Sequence, residues 1–472
     1  MERHATALQV AAAVRSGEVS PSELMQEYLG RADRIDPQLN AFALRDDERA
    51  LADARAADDV VAAARRDGSE LPPFSGVPMP IKDLNDVAGW VTTHGSRATP
   101  DVPAERDELV VERFRRAGFV LMGKTTTPEF GSISRTESLR FGVTRNPWNT
   151  DHTPGGSSGG AAASVASGMA PVAHASDGGG SIRIPASCNG LVGLKASRGR
   201  VTDRRYGVVG ASTSGVLVRD VADAAALLDV MAELDTGSWN VAPPPSRPNA
   251  SEVGADPGRL RVLLCVDNAL GIPVDEECAT AVRSVANTLS DLGHDVSEGS
   301  PDWPDAGEFI VNFVTVWNTL AILNPIEDES RLEPHNAAAW EASRATDAFA
   351  YLGADAALQA ASRALTSQFG PNGDFDLLLT PTMAVTPPRA GIALDGADAD
   401  PTAPVMNSIP MACYTSLFNA SGQPAISIPA HVSAEGLPVG VQIAAPPWRE
   451  DLLIQVASQL EAARPWAALP EL

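Results

Sequence analysis

Two blocks rich in glycine and serine, together with one lysine, are the residues of this chain whose types could do chemistry together. The first block is Gly155-Gly156-Ser157-Ser158-Gly159-Gly160, the second is Gly178-Gly179-Gly180-Ser181, and the lysine lies in Pro80-Ile81-Lys82-Asp83. Glycine lets the backbone turn sharply and approach a ligand closely. A serine in such a turn exposes its hydroxyl and the neighbouring N–H groups, so one segment can supply both a nucleophile and an oxyanion hole.

Lysine is rare in this chain. Of the 36 basic residues only three are lysines, Lys82, Lys124 and Lys195, and they lie in the same part of the chain as the two blocks. Arginine stays protonated in proteins, whereas a buried lysine can lose its proton. A lysine in a chain that otherwise uses arginine is therefore a candidate for a neutral amine.

These residues favour a nucleophile that needs no histidine. In this interpretation Ser181 attacks, neutral Lys82 is the ultimate base, and Ser157 relays the proton between them. Bringing the pKa of a lysine from about 10.4 to near 7 takes about 4–5 kcal/mol of differential stabilisation, which burial can supply. Asp83 need not pair with Lys82, because neighbours on a strand point to opposite faces. The alternative is that both blocks are only tight turns.

Two other motif matches are disfavoured. Residues 118–125 match the phosphate-loop pattern GxxxxGK[ST], but the residues between the glycines are themselves predicted to form a strand. Residues 156–160 match the nucleophile elbow G-x-S-x-G, with Ser158 as nucleophile. That mechanism needs an acid and a histidine downstream. His294, His335 and His431 are available, but none has a telling neighbourhood.

The charge of the chain limits its partners. The net charge of −24 argues against nucleic acid and against an anionic membrane surface, since both attract basic patches. We therefore expect a small-molecule substrate and an acidic, soluble surface. No apolar run approaches the ~18 residues that cross a bilayer, and the short apolar stretch at 8–14 is expected to be a helix, not a signal peptide. These features predict a cytoplasmic protein.

Neither a metal nor another cofactor is predicted. The seven histidines form no H-x-x-x-H or H-E-x-x-H pair, so no metal site is visible. The four cysteines match no zinc spacing and are expected to be free thiols in the core. They are Cys188, Cys265, Cys278 and Cys413.

The elements that must position the candidate residues alternate between helix and short apolar strand. Residues 5–36 are predicted to be helical, with a capping box at Ser20-Pro21-Ser22-Glu23. Strands are predicted at 78–83, 119–122, 171–175, 261–266, 294–296, 376–380 and 425–429, and helices at 106–117, 158–169, 275–292 and over most of 305–368. This alternation indicates an α/β fold whose sheet is covered on both faces.

An aromatic stripe adds a further candidate. Phe309, Phe313 and Trp317 recur every four residues in a predicted helix. Such a stripe is more often core, and the alternative is that it lines a pocket for a bulky apolar substrate.

The glycine–serine blocks and the segments around them are similar to those of a known family. The stretch from Gly155 to Lys195 closely resembles the signature of the amidase signature family. Further blocks with the same resemblance are PIKD at 80–83, LMGKTTTPEFG at 121–131, TRNPWN at 144–149, LLLTPT at 377–382, and FNASGQPAISIPA and GLPVGVQIAAP in the C-terminal part. The resemblance therefore covers nearly the whole chain.

The resemblance implies a fold and a site. The fold would be the amidase signature fold, with a central mixed, twisted β-sheet covered by helices on both faces. A Ser–cisSer–Lys triad would comprise Ser181, Ser157 and Lys82, with a cis peptide bond before Ser157. The backbone N–H groups of the oxyanion hole would be those of Gly178, Gly179, Gly180 and Ser181. The substrate-binding residues would be Gly131 and Ser132. Asp177 and Arg183, which flank Ser181, are expected to hold its loop through hydrogen bonds, with substrate contact as the alternative. Lys124 and Lys195 are expected to be structural.

The chain departs from the family pattern at two places: Gly178 stands where the family usually has threonine or isoleucine, and the family's common GLKPT is here Gly193-Leu194-Lys195-Ala196-Ser197.

The resemblance also implies one domain with five regions. They are an N-terminal helical region (1–75), the catalytic core (76–235), a linker rich in Pro, Gly and Ser (236–259), a variable substrate-pocket region (260–420) and a C-terminal segment returning to the sheet (421–472).

The implied activity is that of a cofactor-free amidohydrolase. It would cleave non-peptide carboxamide C–N bonds of aryl or alkyl amides, and possible further substrates are cyclic oligoamides, carbamates (urethanes) and esters. The segment 449–466 resembles hydrolases of nylon-type cyclic oligoamides. The alternative is an amidotransferase subunit that hydrolyses glutamine within a complex acting on glutaminyl-tRNA. A binding protein without activity is disfavoured by the intact triad, and a monomer or homodimer is expected.

Overall fold

The strands form one large and two small sheets in the part of the chain that the structure, a computed structural model, describes: residues 2–203, 211–319 and 323–472. The strands are β1 (Phe42–Leu44), β2 (Pro78–Lys82), β3 (Val120–Thr125), β4 (Glu137–Ser138), β5 (Gly142–Val143), β6 (Ala173–Asp177), β7 (Val192–Lys195), β8 (Thr213–Val218), β9 (Arg261–Leu264), β10 (Asp295–Glu298), β11 (Leu377–Pro381), β12 (Ala425–Val432) and β13 (Pro438–Ala444).

The large sheet is mixed and has the strand order β10-β9-β11-β13-β12-β7-β8-β6. Strand β9 pairs in parallel with β10 and β11, whereas β12 pairs antiparallel with β13 and β7. A three-stranded sheet, ordered β1-β3-β2, lies beside it, and its strand β2 contacts β6 of the large sheet. The ends of β2 and β6 therefore come together.

Helices cover both faces of the large sheet. The helices are α1 (Ala7–Ser16), α2 (Pro21–Leu39), α3 (Asp47–Asp67), α4 (Leu109–Arg116), α5 (Gly159–Ala166), α6 (Arg183–Asn189), α7 (Val221–Met231), α8 (Glu276–Asp291), α9 (Ala306–Thr319), α10 (Pro334–Ala345), α11 (Ala348–Thr366), α12 (Ala403–Met406), α13 (Ile409–Ala412), α14 (Ser416–Ser421) and α15 (Glu450–Ala463).

Strand β11 shows the two faces. Leu377 and Leu379 belong to the apolar cluster that contains residues of α8 and α15, whereas Leu378 belongs to a second cluster with residues of α9, α11 and α14. The predicted α/β architecture, with a mixed sheet between two layers of helices, is confirmed.

The local predictions hold best where capping or burial signals were strong. The capping box at Ser20 and Glu23 is present at the start of α2, and β2 ends at Lys82 as predicted. The helix predicted from residue 106 begins only at Leu109. Strands β7, β8 and β13 lie outside the predicted set, because they are fully buried, so they lack an alternating pattern, and because each contains a glycine, which weakens a strand signal. Strands β1, β4 and β5 were also not predicted, since two or three residues are too short for a periodic pattern.

The cysteine prediction is confirmed, since Cys188, Cys265, Cys278 and Cys413 are all unpaired and buried. Within the described ranges, no helix combines the length and the apolar character needed to cross a membrane.

Candidate active site

The two glycine–serine blocks and the end of β2 meet at one cavity. Its volume is about 930 Å³, and Ser157, Ser176, Gly178 and Ser181 contribute to its wall. The topology explains the meeting, because β2 leads into Lys82 and β6 leads into the block at 178–181, and these two strands contact each other. Residues distant in sequence thus share a site large enough for a small organic ligand.

Lys82 is completely buried and contacts two hydroxyl groups. Its Nζ lies 2.8 Å from Oγ of Ser157 and 3.1 Å from Oγ of Ser176. Burial lowers the pKa of Lys82 to about 7, and the negative charge of Asp177 opposes the shift only in part. A neutral amine can donate one N–H to Ser176 and direct its lone pair at the Ser157 hydroxyl.

The other two lysines have different surroundings. Lys124 pairs with Asp83 at 2.9 Å, and Asp83 also accepts a hydrogen bond from the hydroxyl of Thr93. Asp83 therefore faces away from Lys82, as predicted. Lys195 donates to the carbonyl oxygen of Ala196 at 2.9 Å, and burial lowers its pKa to about 7 as well.

Ser157 is buried and follows a cis peptide bond, which joins it to Gly156. Gly131 borders this serine closely: a Cβ atom added to Gly131 would lie 3.0 Å from Oγ of Ser157. A side chain at position 131 would therefore crowd the hydroxyl that contacts Lys82.

Ser181 is half-buried and begins the segment that enters α6. In the described part of the chain its hydroxyl makes no hydrogen bond, so the contact between Ser157 and Ser181 is not formed. Both serines line the same cavity. The structure thus brings the three predicted residues into one site, with the link from Lys82 to Ser157 made and the link from Ser157 to Ser181 open.

A buried ion pair holds the loop that carries Ser181. The carboxylate of Asp177 accepts hydrogen bonds from the N–H of Gly180 (2.7 Å), the N–H of Ile182 (3.2 Å) and two nitrogens of Arg183 (2.9 Å each). Burial alone would raise the pKa of Asp177, but Arg183 and its other partners hold it well below its usual range. Asp177 and Arg183 have the structural role that was expected.

The predicted oxyanion hole needs correction at Gly180. Its N–H already donates to Asp177, because an ionised carboxylate is a strong acceptor, and it is not left over for a substrate oxygen. Within the described residues, the N–H groups of Gly178, Gly179 and Ser181 have no acceptor. Gly180 instead shapes the turn: its φ is +132°, and a Cβ there would lie 2.2 Å from Oγ1 of Thr415.

Ser132 lies on another wall of the cavity and belongs to a polar chain. A hydrogen bond of 3.0 Å joins its hydroxyl to Nε2 of His335, and Nδ1 of that ring lies 4.0 Å from Oε2 of Glu333. Burial lowers the pKa of His335 to about 4 and, with the charge of Glu129, raises that of Glu333 to about 8. Both groups are therefore neutral at pH 7.

Sequence reasoning missed Ser176, and it considered His335 only as a partner of Ser158, not as a neighbour of Ser132. Ser176 has the signal of lying one residue before Asp177 at the end of a predicted strand beside the second block. For His335 the sequence offers no signal, because its neighbours along the chain do no recognisable chemistry.

The two disfavoured motifs have structural roles. Ser158 is fully buried, and its hydroxyl donates to the carbonyl oxygen of Ser176 at 3.2 Å. None of the three histidines considered for it bonds to Ser158 in the described part of the chain: His294 contacts Gln459, His431 contacts Glu277, and His335 contacts Ser132. The lysine of the phosphate-loop pattern pairs with Asp83 instead of facing a free loop.

The aromatic stripe belongs to the core at one end and lines the cavity at the other, so both of its interpretations hold. Phe309 is buried in the core, Phe313 stacks on it with ring centroids 5.6 Å apart, and Trp317 stacks on Phe313 at 5.8 Å. Trp317 also lines the cavity. The stripe therefore leads from the core to the wall of the site.

Among the residues that the structure describes, no group of three His, Cys, Asp or Glu side chains could hold a metal ion.

Comparison with known proteins relates the chain to one family over most of its length. A sequence model of the family described as Amidase matches residues 23–454. A curated relative, the 6-aminohexanoate-cyclic-dimer hydrolase of Pseudomonas sp. (strain NK87), is 39% identical over 483 residues, covering 96% of this chain and 94% of the relative.

Solved structures agree with this relationship. A 6-aminohexanoate cyclic dimer hydrolase complexed with substrate superposes with a TM-score of 0.90 at 35% identity, covering 99% of this chain and 98% of the other. A bacterial aryl acylamidase of the amidase signature family superposes with a TM-score of 0.87 at 26% identity, covering 98% and 97%.

Proposed function

Because the chain belongs to the amidase signature family and is an enzyme that hydrolyses amide C–N bonds, we propose that Ser181 is its nucleophile, Ser157 its proton relay and Lys82 its base. One observation carries this assignment: the Nζ atom of Lys82 lies 2.8 Å from Oγ of Ser157, in a fully buried place beside the cavity that Ser181 lines. An amine whose pKa burial lowers to about 7 can take up a proton at neutral pH.

The acylation step follows from this geometry. Oγ of Ser181 forms a bond to the carbonyl carbon of the amide while its proton passes to Ser157, whose own proton passes to Lys82. The free N–H groups of Gly179 and Ser181, with that of Gly178, donate to the oxygen on which negative charge develops. The C–N bond then breaks as the leaving nitrogen takes a proton from Ser157, and Lys82 returns a proton to Ser157.

Deacylation repeats the relay with water. A water oxygen bonds to the acyl carbon while its proton passes through Ser157 to Lys82, and the bond from that carbon to Ser181 breaks as Ser181 regains a proton. The products are an amine and a carboxylic acid. Every proton comes from the substrate, from water or from these three side chains.

The proposed substrates are aryl and alkyl carboxamides, with cyclic oligoamides, carbamates and esters as further candidates. The cavity wall combines apolar side chains such as Trp317, Trp340 and Leu323 with polar ones such as Ser132 and Asn336. A cavity of about 930 Å³ accommodates a ligand with an aromatic ring or a medium-length alkyl chain. The name of a curated relative, a cyclic dimer hydrolase, supports cyclic oligoamides as substrates. The name of a solved structure, an aryl acylamidase, supports aryl amides.

The alternative of an amidotransferase subunit is not favoured, because the chain matches amidases and hydrolases over nearly its whole length. We propose that the chain works in the cytoplasm, alone or as a homodimer, without nucleic acid or membrane partners. Its net charge of −24 supports the absence of nucleic-acid partners.

The test uses the purified chain without any partner. We expect it to hydrolyse a nitroanilide, a nitrophenyl ester and a cyclic amide oligomer, with different rates. Mass spectrometry of the quenched ester reaction should find the acyl group on Ser181. Ser181→Ala should abolish turnover, while Ser330→Ala, at an exposed serine outside the cavity wall, should not change it. Activity that depends strictly on a second protein would contradict the proposal.

A further inference from the structure

Gly178 has no backbone reason to be a glycine. Its φ is not in the left-handed region that disfavours side chains, unlike that of Gly180. A Cβ added to Gly178 would instead meet the indole ring of Trp317, at 3.0 Å from Cζ3 and 3.2 Å from Cη2. The next nearest atom, Cβ of Ser212, would be at an ordinary contact distance of 3.8 Å. A side chain at position 178 would therefore crowd Trp317, and the ring or the loop would have to move by a few tenths of an ångström to admit it.

The neighbouring glycines behave differently. A Cβ on Gly179 would meet no atom within 4 Å, so the space beside this residue is open. Gly180 is required by its backbone conformation and by Thr415. Of the three glycines before Ser181, Gly178 is the one whose missing side chain is matched to a tryptophan.

Trp317 is itself held from behind. It stacks on Phe313, which stacks on the buried Phe309, and all three rings project from α9. The adjacent Val316 is buried in a cluster with Ala211 and Ala354, against which Trp317 also packs. The indole is therefore fixed by the core on one side and touches the loop of Ser181 on the other.

We propose that Trp317 is a positioning residue for the oxyanion hole. Its indole ring packs against the Cα of Gly178 and stops this peptide from moving back, which keeps the free N–H groups of Gly178 and Gly179 directed at the substrate oxygen. An oxyanion hole works only when its donors lie within hydrogen-bond distance of the developing charge, so a small displacement of the loop costs rate. This inference rests on the proposed role of Ser181 and its loop.

A rescue experiment tests the steric match. Gly178→Thr should lower kcat by at least about tenfold, because the new side chain meets the indole and displaces the loop. Trp317→Ala should lower kcat because the loop loses its support. The double variant Gly178→Thr/Trp317→Ala should be more active than Gly178→Thr alone, since the side chain then fills the space that the indole leaves. A double variant no better than Gly178→Thr would overturn the match.

A second measurement separates positioning from general packing. A thiono ester, whose sulfur fits an oxyanion hole poorly, is compared with the ester of the same acyl and leaving groups. Trp317→Ala should slow the oxygen ester by at least about tenfold more than the thiono ester, whereas loss of a mere pocket wall would slow both equally. Trp317→Phe keeps an aromatic ring at this position and should therefore restore part of the wild-type ratio of the oxygen-ester rate to the thiono-ester rate. Equal slowing of both esters would overturn the proposal.

Two controls complete the experiment. Val311→Ala, at an exposed position of the same helix, should leave both esters unaffected. Ser181→Ala separates the proposed function from the role of Trp317. If Ser181→Ala remains active, the proposed function is wrong. If Ser181 is required but Trp317→Ala slows the oxygen ester and the thiono ester equally, only the role of Trp317 is wrong. Should Trp317→Ala unfold, Trp317→Phe gives the same comparison with a smaller expected change.

Discussion

The amine of Lys82 hydrogen-bonds to the hydroxyl of Ser157 at 2.8 Å, although it is fully buried and pairs with no carboxylate in the described part of the chain. Burial without an ionic partner favours the neutral amine, and a neutral amine is a base. The burial of Lys82 therefore costs folding free energy, and the same burial lets its amine accept a proton from Ser157.

The activity should depend on pH through Lys82. Because its pKa lies at about 7 and the neutral form is active, kcat/KM should rise about tenfold per pH unit below 7 and level off above it. Lys82→Arg should be inactive, since arginine remains protonated. His335 has a pKa of about 4 and is neutral over this range, so it should not cause this rising acid limb of the pH profile. His335→Asn should therefore keep the limb near pH 7, and a limb that disappears in this variant would contradict the assignment to Lys82.

Lys82 should destabilise the fold at neutral pH. Its pKa falls from 10.5 to about 7 on folding, so the unfolded chain binds more protons between these values, and the free energy of unfolding should rise with pH across this window. Below the window the full cost of about 4–5 kcal/mol applies. Lys82→Met should therefore be inactive but more stable at pH 7, by on the order of 1–3 kcal/mol after the serines lose their partner.

The matched control is Lys124→Met. This change leaves Asp83 buried without its cation and should destabilise the protein by about 3–5 kcal/mol. Urea unfolding of both variants measures the contrast. If Lys82→Met loses as much stability as Lys124→Met, the amine of Lys82 does not have the cost assigned to it.

Ser176 should orient the base. Its oxygen accepts from Nζ of Lys82 at 3.1 Å, which leaves the lone pair of the neutral amine for Ser157. Ser176→Ala should lower kcat by about tenfold, in line with the loss of one hydrogen bond. It should also move the acid limb to lower pH, because a hydroxyl acceptor favours the charged amine. Ser176→Thr, which keeps the hydroxyl, should retain the limb; unchanged activity in Ser176→Ala would refute the role.

Arg183 should be irreplaceable in the loop of Ser181. It is fully buried and bonds to Asp177, the carbonyl oxygen of Thr415, Gln442 and Asn419, an arrangement that the planar guanidinium fits and an ammonium does not. Arg183→Lys should lower the free energy of unfolding by about 3–5 kcal/mol and reduce activity with it.

An exposed arginine provides the comparison for Arg183. Arg389 pairs with Asp151 at the surface, and Arg389→Lys should change the free energy of unfolding by less than about 1 kcal/mol. Both free energies of unfolding are measured by denaturant unfolding. An equal decrease in the two variants would show that the buried hydrogen bonds of Arg183 stabilise the protein no more than a surface ion pair does.

Local features of the sequence determined a large part of this protein. The rarity of lysine and the glycine–serine blocks identified Lys82, Ser157 and Ser181, and all three line or adjoin one cavity. The capping box and the apolar run before Lys82 predicted α2 and β2, because caps and burial patterns act between residues close in the chain. The opposite directions of Lys82 and Asp83 follow from the period of a strand.

The tertiary structure alone decided which partners these residues have. Ser176 approaches Lys82, His335 approaches Ser132, and Trp317 fills the space beside Gly178 because separate elements pack together. The capture of the Gly180 N–H by Asp177 also depends on a loop geometry that no period in the sequence encodes. Helix and strand signals are local, whereas these contacts join residues whose distance is set only when the sheet, α9 and α10 close around the cavity. That is why the chemistry could be predicted from residue types, and the shape of the site could not.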